Sequence, residues 1–212
     1  MKKIILIIAV LMLVTGCSNI KDLSYDEIIK NIATPISRTN TYRTGYKYYL
    51  PRGMQVTDSS LFNEVLDDGK NIYYLYVDAV SYINKVDYNY KINEKSEYSK
   101  SVKYDNKSGY VEINLYENNK YLVEIMYNYA KIEMIVDKED INKVMLSAIS
   151  ILKSVEYNDS VIANLLEDNV LDFAEEELDI FNTAGRDNDY IQIDDGSYQP
   201  VEDEIPDTDL IN

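Results

Sequence analysis

The chain has no histidine and no tryptophan, and only one cysteine, four prolines and seven glycines in 212 residues. Each shortage excludes something. Without histidine, the commonest metal ligand and the usual general base near neutral pH are both missing. A lone cysteine cannot close a disulfide within the chain, and once its thiol is used elsewhere no cysteine nucleophile or thiolate metal site remains. The usual catalytic triads therefore lack their parts. The glycines stand singly at turn positions, so there is no glycine-rich phosphate loop. The apolar run from Ile4 to Val14 has eleven residues, short of the ~20 that a spanning helix needs.

That run follows Met1-Lys2-Lys3 and leads into Thr15-Gly16-Cys17. A cationic start, a short apolar stretch and a small residue at the cut site make a secretory signal, whose positive end stays in the cytoplasm. Val14-Thr15-Gly16-Cys17 resembles the lipobox of bacterial lipoproteins, with valine where leucine is commoner. The resemblance implies cleavage between Gly16 and Cys17 and a diacylglyceryl group on the Cys17 thiol. It also implies a protein held on the extracytoplasmic face of the cell membrane. Two acyl chains suffice for stable anchoring, at ~0.8 kcal/mol per buried methylene. The alternative is an ordinary signal peptide with an incidental cysteine. Against it, the sole cysteine occupies the one position that the motif demands.

Charge is distributed unevenly. Residues 167–212 carry 16 acidic side chains and one basic, Arg186, whereas residues 1–166 carry 21 acidic and 20 basic. Nucleic-acid binding needs basic patches to release counterions, and this balance excludes it from the expected functions. Between Ile28 and Thr57 stand five cations (Lys30, Arg38, Arg43, Lys47, Arg52) and no acid. We read them as solvated charge, with contact to anionic headgroups as the alternative. Tyrosine is abundant: 17 of the 21 fall between Tyr42 and Tyr129. Tyrosine favours half-buried strands, so the band predicts a β-sheet.

Ser24-Tyr25-Asp26-Glu27 is a capping box, and Ile28, Ile29 and Ile32 follow it, predicting a short helix from Tyr25 to Ala33 that Pro35 ends. Residues 34–44 read as irregular. Strands are predicted over 46–50, 54–57 and 71–77, with Asp67-Asp68-Gly69 as a turn. Residues 79–97 read as an irregular excursion with a short helix. Residues 99–104 are expected to pair with 110–116 across a turn of Asp105 to Gly109. A turn at Glu117-Asn118-Asn119 precedes a hairpin of 121–127 and 130–136 through Asn128. Ile132, Met134 and Val136 mark one buried face of the last strand. Ile141, Val144, Met145, Ala148, Ile149 and Leu152 form a continuous stripe at helical spacing, with Asp137 as the expected cap. A short strand over 154–157 and a helix from Asn158 to about Leu166 complete the domain. In the tail, Leu171, Ala174, Leu178 and Phe181 share one helical face; beyond Asn182 the composition predicts disorder.

The expected class is α+β: an antiparallel β-sheet covered by a long amphipathic helix, with a flexible acidic C-terminal tail. The expected divisions are a signal peptide (1–16), a lipid-anchored tether with a short helix (17–41), an α+β domain (42–166) and the acidic tail (167–212). Two features carry a resemblance. One is the opening from Tyr46-Lys47-Tyr48-Tyr49-Leu50 through Pro51-Arg52-Gly53 to Met54-Gln55-Val56; the other is the helix ending Ile149-Ser150-Ile151-Leu152-Lys153-Ser154. Both resemble the PsbP-like α/β sandwich, although Met54 replaces the aromatic residue common after the glycine. The resemblance implies an accessory or assembly protein and transfers no functional residue.

A carboxylate pair can hydrolyse a glycoside, but Asp67-Asp68 precedes Gly69 and reads as turn chemistry. Asp187-Asn188-Asp189 to Asp194-Asp195-Gly196 lacks the calcium-loop pattern of glycine at the sixth place and glutamate at the twelfth. No catalytic residue, metal site or cofactor is expected. Three functions compete. The first is a non-catalytic envelope lipoprotein that binds a protein partner, its tail folding on that partner. The second is a lipoprotein that holds a solute, saccharide or peptide on a tyrosine-rich face. The third is a carboxylate hydrolase. They rank in that order.

Overall fold

The computed structural model describes residues 20–36 and 38–167; Gly16, Cys17, the apolar leader and residues 168–212 lie outside them. The elements in chain order are α1 (Tyr25–Ile29), β1 (Thr41–Arg43), β2 (Tyr46–Tyr48), β3 (Gln55–Ser59), β4 (Asn63–Asp67) and β5 (Ile72–Val77). There follow α2 (Ala79–Asn84), β6 (Tyr98–Tyr104), β7 (Lys107–Leu115), β8 (Tyr121–Tyr127), β9 (Ala130–Val136), α3 (Ile141–Lys153), β10 (Glu156–Tyr157) and α4 (Asp159–Glu167). The class is α+β, with two antiparallel sheets. Seven strands run β3-β4-β5-β9-β8-β7-β6, and three run β1-β2-β10. Among the described residues no helix is long and apolar enough to cross a membrane.

Local chemistry explains the elements. The Ser24–Glu27 capping box forms in full, and the chain tightens into a 3₁₀ turn over Lys30–Ala33 before Pro35. Asn128 and Tyr129, both in the left-handed region, make the two-residue turn of the β8–β9 hairpin. Such a turn matches the twist of the strands. In α3 the predicted stripe of Ile141, Val144, Met145, Ala148, Ile149 and Leu152 is buried and packs against β8 and β9. The facing residues of the sheet, among them Leu75, Val111, Ile125, Ile132 and Met134, are fully buried. This is the core.

Three expectations need correction, and one strand stands where none is predicted. Thr41–Arg43, read as irregular, pairs with β2 as a strand, because Asn40 Oδ1 accepts from Leu50 N–H and the Asn40 amide donates to Leu50 O. Asn63–Asp67, where no element is predicted before the turn at Asp67-Asp68-Gly69, is β4, with an alternating burial pattern that the buried charge of Glu64 disguises. The turn between β6 and β7 is the two residues Asp105 and Asn106, because Tyr104 already pairs with Lys107. Asp137 makes no side-chain cap; its carboxylate meets Lys120 at 3.0 Å, and a 3₁₀ turn at Lys138–Asp140 leads into α3.

Candidate functional site

The β1–β2 hairpin, β10, α2 and the start of α4 enclose an open groove of about 1000 Å³. Its position follows from three local devices. Gly45, at φ +87°, turns β1 into β2, and a Cβ there would lie 2.9 Å from Ile162 Cγ1, so glycine lets α4 sit against the hairpin. Asn158 N–H donates to Gly45 O at 2.8 Å, and Asn158 Oδ1 accepts from Val161 N–H and the Ser160 hydroxyl. Arg43 donates twice to Glu64 Oε2, at 2.9 and 2.7 Å, while Tyr46 and Tyr48 donate to the same carboxylate at 2.7 and 2.9 Å. The Glu64 side chain is fully buried, and four donated bonds with a cation satisfy it. Burial and the Glu64 charge push both phenols far above the ordinary tyrosine range, so they stay protonated and keep donating.

The tyrosines of the groove serve mainly one another. Tyr82 stacks on Tyr157 with centroids 3.8 Å apart, and Lys85 Nζ lies 3.8 Å from the Tyr82 ring centroid. The Tyr82 hydroxyl donates to Asp159 Oδ1 at 2.7 Å, and Tyr157 donates to Asn128 O at 2.7 Å. Burial, then Asp159, raises Tyr82 to about 12. Tyr129 at the hairpin tip meets Tyr82 edge-on and leans on Tyr88, and Tyr88 donates to Asp78. A tyrosine at φ 62° is held in an unfavourable backbone region, which this packing offsets. Tyr42, 68% exposed, presents an open ring. A saccharide platform needs exposed ring faces, and here those of Tyr82 are already occupied. What the groove offers a ligand is polar: Thr44, the Lys47–Glu156 pair at 2.9 Å, Asn158, Asp159 and Ser160, with Tyr42 at the edge.

A second polar cluster lies on the outer face of the large sheet. Glu112, Glu124 and Glu133 sit directly opposite one another on β7, β8 and β9, at 2%, 1% and 5% exposure. Like charges placed so are destabilising, and donors surround them. Glu112 accepts from Tyr90 at 2.5 Å, Asn93 at 2.9 Å and Asn114 at 2.8 Å. Tyr110 donates to Glu124, and Lys131 meets Glu133 at 3.1 Å. Tyr90 stacks on Tyr110 at 4.3 Å. Among the described residues no group of three or more His, Cys, Asp or Glu side chains is arranged to hold a metal ion.

The residues singled out in the sequence fare differently. Gly16, Cys17 and the acidic run at 187–196 lie outside the described residues. Asp67 and Asp68 fold a turn: Asp67 accepts from Gly69 N–H, and Asp68 from Lys70 and Asn71 N–H. Sequence reasoning missed the glutamate row, although a signal existed. Val111-Glu112-Ile113, Val123-Glu124-Ile125 and Ile132-Glu133-Met134 each put one glutamate between two apolar strand residues. Comparison with protein-family models, curated proteins and solved structures finds no match to the chain.

Proposed function

We propose that this chain is a lipid-anchored, non-catalytic accessory protein of the cell envelope, one that holds a polar segment of a partner protein in the groove between the β1–β2 hairpin and α4. The groove carries the reading. It is open and lined by polar groups of both signs, and the network beneath it is satisfied internally, so it stands preformed without a ligand. Preformed sites bind with less ordering cost. The lipobox resemblance at Val14–Cys17 supplies the anchor, on the extracytoplasmic face. The packing of α3 on β8 and β9 is compatible with a PsbP-like sandwich, which supports an accessory role. The acidic tail adds a second contact that folds on the partner.

The test is cross-linking of the native lipoprotein in its membrane, comparing wild type with a Tyr42→Ala, Lys47→Glu double variant. One discrete protein adduct, weakened in the double variant, is the expected outcome. An adduct pattern indifferent to those changes would count against the groove. Deleting residues 167–212 should reduce the adduct further; complete retention would remove the tail from the account. Cys17→Ala should release the protein from membranes, and unchanged retention would refute the anchor.

A further inference from the structure

The large sheet has two edges, β3 and β6, and they differ. β3 has five residues, carries Asp58, and its register slips between Val56 and Asp58. Short length and a bulge protect an edge from unwanted pairing. β6 has seven residues, all paired in unbroken register with β7 from Tyr98↔Ile113 to Tyr104↔Lys107. It has no acid and two lysines, Lys100 and Lys103. Among the described residues, Tyr104 O, which accepts from Tyr127 at 3.3 Å, is the one backbone group of β6 with a partner beyond β7.

We propose that β6 is an acceptor edge, to which an acidic, extended segment of a partner protein adds as an eighth strand. Side chains of β6 are held on both faces, while among the described residues its edge stays open. On the inner face Tyr98 donates to Asp26 at 2.5 Å and meets the Tyr25 ring edge-on at 5.2 Å. On the outer face Ser99 Oγ meets Tyr90 and Asn93. A strand fixed in this way needs little ordering on binding, and strand addition draws affinity from main-chain hydrogen bonds.

Charge selects the occupant. Lys100 is ion-paired with Asp26 at 2.8 Å, whereas Lys103 and the neighbouring Lys107 have no ion-pair partner among the described residues. Edge lysines repel basic strands and disfavour neutral ones, whose pairing would desolvate the ammonium groups without a counter-charge, and the same charges attract an acidic strand. Two β6 edges pairing with each other would crowd two lysines from each chain, which disfavours a second copy.

The full-length acylated protein in detergent micelles is titrated with a synthetic peptide carrying glutamates three residues apart among β-branched residues. A control peptide carries lysines in those places. Hydrogen exchange is read across the protein. The acidic peptide should slow exchange at residues 98–104, and Lys103→Glu should weaken its binding about five- to tenfold with the melting temperature unchanged. The lysine peptide should prefer the Lys103→Glu variant. The proposal is overturned if the acidic peptide slows no β6 amide, or if Lys103→Glu leaves its affinity intact. It is equally overturned if β6 becomes protected with protein concentration alone, since the occupant is then a second copy. Groove cross-linking does not depend on these readings, so either idea can fail alone.

Discussion

On the inner face of the seven-stranded sheet, Leu75, Ile132, Ile125 and Val111 form one cross-strand row; one residue along on each strand, the outer row reads Tyr74, Glu133, Glu124 and Glu112. Each of these apolar and acidic residues is buried, yet the two rows solve burial differently. The inner row gains by excluding water and filling space, so shape decides what fits there. The outer row must supply a donor for each carboxylate oxygen, so partner identity decides instead. Stability is concentrated inside, and chemical specificity outside.

The comparison can be broken most forcefully from the inside. Ile132→Ala removes most of a side chain with no exposure and should cost about 3–4 kcal/mol, read as a lower denaturant midpoint with unchanged m-value. A loss under 1 kcal/mol would mean that the inner row is loosely packed. Next is Glu64→Ala, which strands Arg43 and two buried phenols. A cost of about 2–3 kcal/mol is expected, below that of a fully buried pair because Arg43 retains solvent contact. A neutral result would show that the hairpin is held by packing alone.

Smaller effects sharpen the contrast. Glu124→Gln keeps an acceptor for Tyr110 and removes one of three neighbouring like charges. Its stability should therefore shift by less than about 1 kcal/mol. An inner-face-sized loss would erase the distinction between the faces. Acid should act through Asp68, at the turn between β4 and β5. Burial alone would raise this carboxyl. The Lys143 ammonium at 2.8 Å, the Asn71 and Lys70 N–H groups and the Tyr73 hydroxyl outweigh that effect and hold it at about 2. Its folded value lies below the unfolded one, near 3.9. Its contribution is therefore complete above about pH 4 and disappears as pH falls through about 2. Acid titration of Asp68→Asn should show a shallower fall in stability across that window; identical slopes would contradict the assignment. Tyr42→Ala, at an exposed ring, should leave the melting temperature nearly unchanged.

Much of this was legible in the sequence, for physical reasons that differ by element. The capping box at Ser24, the α3 stripe and the β8–β9 hairpin are local patterns with one good solution each. β1 and β4 were not legible, because strands of three and five residues bounded by polar or charged side chains carry too little periodicity and depend on long-range partners. Glu64 belongs to such a strand, and its partners Arg43, Tyr46 and Tyr48 lie about 20 residues away. The groove draws on segments near residues 45, 82 and 158, and nothing local announces that they meet. The glutamate row is intermediate. Its repeated apolar-Glu-apolar triplets are visible, but their alignment needs the registers that the hairpin turns set.

The groove is the claim on which the functional account rests, and a photoreactive residue placed at position 42 tests it most directly. Illuminated in the intact membrane, the anchored protein should give one discrete protein adduct, absent when Cys17 is replaced by alanine. The same residue placed at position 58, on the protected β3 edge, should give none. Equal labelling from both positions, or no adduct from position 42, would contradict the assignment of the groove as the binding site.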